Sequence, residues 1–177
     1  MDEKRLHTQR LTLRRIRKED RVSVQWIWED ANSSPYAQYD RPHNIDSCDV
    51  RSRITRWAEV SQGIEHIFFA ICLKEKMIGY IAFNKRVESY EIGYCFHSDY
   101  HGKGYAREGL SALIEYMKSL GAKRLTAGTA INNTPSVKLL TALGFQQTKT
   151  EKISFYQNED GTSIFFEGGV HELNLLV

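Results

Sequence analysis

Residue patterning along this chain predicts an α/β fold, a largely antiparallel mixed sheet held between helices. Segments with strand and helix periodicity follow in the order β-α-α-β-β-β-α-β-α-β-β. Residues 66–73 and 77–84 are apolar at nearly every position, as expected of strands covered on both faces. A glycine turn, His101-Gly102-Lys103-Gly104-Tyr105-Ala106, joins an aromatic-rich strand to a long amphipathic helix. A length of 177 residues fits one domain spanning 1–177, with a core that needs no disulfide staples.

Leu11, Leu13 and Ile16 alternate as a first strand, and residues 18–30 carry Val22, Trp26 and Ile27 at helical spacing. A loop with Asn32, Ser33, Ser34 and Pro35 follows. Asp46 is placed to cap a second helix, with Val50, Ile54 and Trp57 on one face and an end near Gly63. Residues 66–73 and 77–84 form a hairpin, and 91–97 extend the meander. Ala106, Leu110, Leu113, Met117 and Leu120 share one face of the third helix, which Gly121 can stop. Leu125, Ala127 and Thr129 alternate as the next strand, and Pro135 suits a first helical turn. Residues 149–156 and 162–177 close the chain as a hairpin around the turn 158–161.

The glycine turn carries the chemistry. Its glycines let the backbone present several N–H groups to one anion, and the helix start adds the positive end of its dipole. The N–H groups of Gly102, Gly104, Tyr105 and Ala106, with Lys103 and Arg107 close by, suit a pyrophosphate. Two other phosphate motifs fit poorly. Arg107 stands where a dinucleotide fingerprint needs its third glycine, and the G-x-x-x-x-G-K-[ST] of a P-loop is missing.

The turn resembles the signature of the GNAT superfamily of acetyl-coenzyme A dependent N-acetyltransferases, Q/R-x-x-G-x-G/A between the fourth strand and the third helix. Gly104 and Ala106 match it, and His101 replaces the usual Gln or Arg at a position that mostly shapes the turn. A histidine before G-K-G-Y-A looks like the Rim-type branch, which modifies ribosomal-protein amino termini. Asn133-Thr134-Pro135-Ser136, followed by Leu139-Leu140 and Leu143-Gly144-Phe145, is similar to that branch's N-x-x-S and closing L-G-F. The likeness in layout runs from about Gln9 to the C-terminus.

That resemblance implies the GNAT acyl-CoA N-acyltransferase fold, acetyl-CoA as co-substrate, no metal, and a primary amine as acceptor. It also implies a pantetheine arm lying along the fourth strand at Cys95, Phe96 and His97, with Asn133 opposite. Lys138 would reach a phosphate, unless it is simply an exposed helix lysine. The backbone N–H near Tyr94 or Cys95 would serve the oxyanion, because adjacent strands splay there in the family. Glu91 is the expected base and Glu88 a second candidate; the competing reading pairs Glu91 with a basic side chain at the surface. Many relatives carry an acidic tyrosine five residues before the phenylalanine of the closing G-F, where this chain has Leu140. In Rim-type enzymes the serine of N-x-x-S takes that task, which maps onto Ser136; otherwise Ser136 only completes a helix start. Tyr156 is a more distant candidate acid.

An α-amine with a pKa near ~7.8 is far more often neutral at pH 7 than a lysine-like amine near ~10.4, so the base matters less for an amino terminus. The resemblance to the Rim-type branch implies a protein or peptide amino terminus as acceptor, with a polyamine or other small amine as the alternative. A coenzyme A sensor without transferase activity is the reading from another class. Trp26, Trp28 and Trp57 would line an acceptor groove or, for Trp26 and Trp57, pack in the core; Glu29, Asp30 and Glu59 would attract a cation or simply be solvated.

Composition bounds the partners. The 24 Lys and Arg nearly balance 22 Asp and Glu, which argues against nucleic acid as the main partner. Basic residues cluster between Lys4 and Lys18, expected as a solvated surface. Cys48, Cys72 and Cys95 lack C-x-x-C spacing and read as reduced thiols, consistent with the cytoplasm. His97 and His101 straddle a strand end and a turn, which gives a metal site little support. The first nine residues lack an apolar stretch, and no segment has the ~18 apolar residues of a membrane span. A homodimer is compatible with the chain.

Overall fold

The structure is a computed structural model that describes residues 5–176; the N-terminal expectation for residues 1–4 and the final Val177 lie outside it. Strands β1 (Leu6–His7), β2 (Leu11–Arg15), β3 (His66–Leu73), β4 (Lys76–Lys85), β5 (Tyr90–Phe96), β6 (Arg124–Ala130), β7 (Gln146–Gln157) and β8 (Ser163–Asn174) form one sheet. Their spatial order is β1-β2-β3-β4-β5-β6-β8-β7. Helices α1 (Arg21–Asn32) and α2 (Ser47–Val60) cover one face, and α3 (Tyr105–Ser119) and α4 (Thr134–Ala142) the other. The element order is the expected one, preceded by the two-residue β1, which periodicity cannot show. Among the described residues no helix is long and apolar enough to cross a membrane.

Helices α2 and α4 start where the sequence supplies a side-chain partner for the first N–H groups, and α1 is anchored just ahead of its start. Asp20 accepts the Arg17 N–H at 2.7 Å and a bidentate Arg14 guanidinium at 2.7 Å on each oxygen, tying the approach to α1 onto β2. Asp46 caps α2 as expected, accepting from the Cys48 and Asp49 N–H groups. Asn133 caps α4 and Pro135 occupies its first turn. Helix α2 ends at Val60, short of Gly63, because Ser61 turns back; its hydroxyl accepts the Phe68 N–H at 2.9 Å.

Two cores flank the sheet. Leu13, Phe69, Ile81 and Phe83 meet Leu110, Leu113, Met117 and Leu140 on the α3/α4 side. Ile16, Phe68 and Tyr80 meet Ile27, Trp28 and Ile54 on the α1/α2 side. The phase of α1 differs from the expected one. Val24, Ile27 and Trp28, at i, i+3 and i+4, face inward, whereas Val22 is 67 % exposed. Leu120 is also 44 % exposed, since it closes α3 rather than continuing its apolar face.

The basic N-terminal cluster is not simply solvated. Arg14 is ion-paired and nearly buried against Asp20, the Arg15 guanidinium lies 4.7 Å from the centre of the Phe69 ring, and Arg10 braces the glycine turn. Lys4 lies outside the described residues.

The decisive feature of the topology is the one parallel pair. Strands β5 and β6 match over three positions only, Tyr90 with Leu125, Glu91 with Thr126 and Ile92 with Ala127. Beyond Ile92 they separate, while β5 stays paired to β4 as far as Phe96. A wedge opens at mid-sheet.

Candidate active site

Strand alternation sets which backbone groups face the wedge. The His97 N–H is donated to the Ile78 carbonyl at 3.0 Å. Main-chain groups of an antiparallel strand point to opposite sides at successive residues, so those of Cys95 and Gly93 also address β4. The N–H groups of Tyr94 and Phe96 are left facing the wedge. Of the expected trio, Phe96 thus offers its main-chain edge, while Cys95 and His97 are spent on β4 and Tyr94 supplies the second rung. The His97 ring lies on the α1/α2 side, stacked on Trp26 at 3.6 Å between centroids, with Asp30 at 3.7 Å. The Cys95 thiol faces the same way, and burial pushes it up to about 12, so it stays protonated.

Beyond β5 the chain enters the glycine turn. His101 donates Nε2–H to the Phe96 carbonyl at 2.7 Å, which folds the turn back on the strand end and explains how a histidine fills its first position. Gly102 and Gly104 adopt φ of +70° and +80°, and Gly104 is the residue from which α3 starts. In a helix start of this kind the N–H groups of Tyr105, Ala106 and Arg107 lack intrahelical carbonyl partners. With those of Gly102 and Gly104 they make a run of donors at a helix start, the kind of segment that binds an anion. Arg107 and Lys138 are exposed, whereas the Lys103 ammonium folds back onto the Asp99 carbonyl at 2.6 Å.

A brace from the sheet edge fixes this loop. Glu108 in the first turn of α3 accepts from the Thr8 hydroxyl at 2.6 Å, the Arg10 N–H at 2.8 Å and Arg10 Nε at 2.7 Å. Arg10 Nη1 reaches the Lys103 carbonyl at 2.9 Å, and its guanidinium lies 4.4 Å from the Tyr105 ring centre. Desolvation pushes the Glu108 carboxyl up, but the hydrogen bonds and the charge of Arg10 outweigh it, leaving it below the usual range. A depressed carboxylate stabilises the fold above its unfolded pKa, and that contribution fades as pH falls through the folded value. Glu108→Gln is therefore expected to lower the melting temperature at pH 7 and to narrow its gap to the parent below about pH 4, where the parent also loses the charge. Melting curves across pH check this, and a gap that widens on acidification contradicts it.

On the α3/α4 side, Tyr94 lies in phase with Ile92 and Phe96 and crosses from β5 to α4, where its hydroxyl meets Ser136 Oγ at 2.6 Å. Burial raises the Tyr94 phenol, and the Ser136 hydrogen bond opposes that in part. Asn133 Oδ1 accepts the Ser136 N–H at 3.4 Å, so the N-x-x-S segment both caps α4 and aims its serine. Leu140 is fully buried in the core. The Tyr94 side chain was not singled out in the sequence, although strand alternation with Ile92 and Phe96 carries its direction.

Glu91 lies on the other face, where Arg86 binds it through Nη2 and through Nε at 2.9 Å, the ion-paired arrangement weighed above. Glu88 reaches Arg124 at 3.4 Å. The three tryptophans pack in the α1/α2 layer. Trp28 is fully buried and donates to the Tyr80 hydroxyl at 2.9 Å, Trp57 stacks on Phe68 at 4.2 Å, and Trp26 covers His97. An open groove of ≈ 970 Å³ lies between the 37–39 turn and the β7–β8 hairpin, lined by Asn32, Tyr39, Asn132, Tyr156, Phe166 and Glu167 among others. The Tyr156 hydroxyl is donated to the Ala37 carbonyl at 3.0 Å, which straps the hairpin over this groove.

A sheet split beside a donor-rich helix start defines an acyltransferase architecture, and comparison with known proteins agrees. The acetyltransferase (GNAT) domain model matches residues 10–146, and the chain belongs to that family. It is 34 % identical over 148 residues to the uncharacterized N-acetyltransferase p20 of Bacillus licheniformis, covering 80 % of this chain and 82 % of that one. The ribosomal-protein-S5-alanine acetyltransferase of Vibrio fischeri superposes with a TM-score of 0.81 at 19 % identity, over 97 % of each chain. The ribosomal L7/L12 α-N-protein acetyltransferase RimL, in complex with coenzyme A, superposes with a TM-score of 0.82 at 15 % identity, over 97 % of this chain and 98 % of that one.

Proposed function

We infer that this N-acetyltransferase moves the acetyl group of acetyl-CoA to a protein or peptide amino terminus, by direct attack in a ternary complex. The observation that carries the reading is the wedge between β5 and β6, with main-chain donors along one side and the glycine turn at its mouth. Those groups fit coenzyme A: an extended amide-bearing arm matches the strand edge left at Tyr94 and Phe96, and a diphosphate matches the N–H groups at 102–106. Arg107 and Lys138 supply cations for the remaining phosphate charge.

When bound, acetyl-CoA supplies the thioester carbon and the sulfur leaving group. The Tyr94 N–H donates to the carbonyl oxygen as charge grows there. Glu91 stands three residues along β5 from Tyr94, roughly 10 Å at strand rise, so it takes the amine's proton through water rather than directly. Ser136 serves the sulfur side. The groove under the β7–β8 hairpin receives the acceptor, and its mix of aromatic rings, amides and one charge of each sign, Lys152 and Glu167, suits a peptide better than a polycation. The Rim-type acetyltransferases that share the fold support a protein acceptor. A coenzyme A sensor is favoured only by the leucine at 140.

Acetyl-CoA offered with a peptide panel and with a polyamine panel is expected to yield peptides heavier by one acetyl group, with fragment spectra placing it on the α-nitrogen. Acetylated spermidine with unmodified peptides would replace this acceptor, and tight coenzyme binding with no product from any amine would favour the sensor.

A further inference from the structure

Ser136 alone is a poor acid for a departing sulfur. An aliphatic hydroxyl is about as weak an acid as water, ~15.7, and a thiol lies near ~8.5, so direct proton donation is steeply uphill. A phenol, near ~10 in water and pushed up by burial at Tyr94, is still a closer match than an aliphatic hydroxyl. The tyrosine that many relatives place on the last helix is a buried leucine here, Leu140, yet a phenol still reaches that corner from a different element. Tyr94 comes from the strand side of the wedge, mostly buried, and its hydroxyl is 2.6 Å from Ser136 Oγ.

We propose that Tyr94 and Ser136 work as one unit, Tyr94 being the acid and Ser136 the relay that delivers its proton to sulfur. This rests on the acetyl-CoA reading above. As the amine nitrogen bonds to the carbonyl carbon, the carbon–sulfur bond breaks and its electron pair stays on sulfur. Ser136 gives its hydroxyl proton to that sulfur and takes the phenol proton of Tyr94 across the short contact. The attacking neutral amine becomes cationic as it bonds to carbon and gives one proton through water to Glu91, which passes it to solvent, and solvent reprotonates Tyr94, so the proton that sulfur gains matches the one that nitrogen loses. In the competing role the two hydroxyls only tie β5 to α4.

Tyr94→Phe, Ser136→Ala and the double variant separate these roles. Each single variant is expected to lose roughly 10²-fold in kcat, the size of a positioned proton donor. The double variant should be no worse than the poorer single one, as for residues that act together, with KM for acetyl-CoA within about twofold of the parent. A second readout does not depend on turnover: calorimetry should show the parent binding coenzyme A more tightly than its desulfo analogue, because the Ser136 hydroxyl hydrogen-bonds sulfur, and Ser136→Ala losing that preference. A kcat within about twofold of the parent, or losses that multiply in the double variant, would overturn the proposal. Coenzyme bound with an unchanged sulfur preference would also overturn it, leaving the acetyl-CoA reading intact; no binding by the parent would overturn both. If Tyr94→Phe does not fold, 3,5-difluorotyrosine at position 94, a stronger acid, should move the alkaline limb of the kcat profile to lower pH. An unmoved limb would reject the role.

Discussion

Gly104→Val is expected to weaken acetyl-CoA binding about 30-fold, equivalent to roughly 2 kcal/mol. Position 104 has φ of +80°, where an L residue is strained by ~1–2 kcal/mol and a β-branched one by more. A Cβ there would also come within 3.3 Å of Arg10 Nη2, the side chain that steadies the turn. The backbone relieves that strain by rotating, which turns the N–H groups of Gly104 and Tyr105 out of their shared direction. Binding should fall more than the melting temperature, because position 104 itself is exposed and lies outside the core. Calorimetric titration checks this, and an unchanged dissociation constant would remove the turn from the coenzyme site.

The larger stability effect is expected from Trp28→Ala, a loss of about 3–5 kcal/mol, or roughly 10 °C in melting temperature for a chain of this size. The indole is fully buried, donates to Tyr80, stacks beside His43 at 5.0 Å and underlies the Arg53 guanidinium at 4.5 Å. Its removal leaves a cavity between α1 and the sheet and strands the buried Tyr80 hydroxyl without its donor. The 34–46 loop folds over the same indole through His43, whose main chain exchanges two hydrogen bonds with Asn32. Urea melts measure the loss; a change under about 1 kcal/mol would mean the α1/α2 core packs differently.

Much of this architecture is local information. Periodicity gives the elements, Asp46 and Pro135 mark helix starts with side chains that act within a few residues, and the two glycines mark the turn whose positive φ they permit. What depends on contacts distant in sequence was illegible. Arg10 and Glu108 are 98 residues apart, so a basic cluster that reads as surface turns out to hold the loop. The inward face of α1 runs through Val24, Ile27 and Trp28 and not through Val22, because both the 22/26 and the 24/28 spacings are helical and only docking on the sheet decides between them. The groove needs the β7–β8 hairpin to lean on the 37–39 turn, a contact formed between Tyr156 and Ala37, and no pattern in either segment announces it. Tyr94 was legible in principle, since its alternation with Ile92 and Phe96 sends it toward α4, but its partner is known only once α4 is docked.

Coenzyme A is held by main-chain contacts along the wedge and the glycine turn in this reading, and amide chemical-shift mapping during titration with coenzyme A reports them directly. The expected result is that the N–H signals of Gly102, Gly104, Tyr105 and Ala106 move together with those of Tyr94 and Phe96, while Cys95 and His97, bonded toward β4, move less. Perturbations confined to residues outside the wedge and its glycine turn, or none at saturating coenzyme, would contradict it.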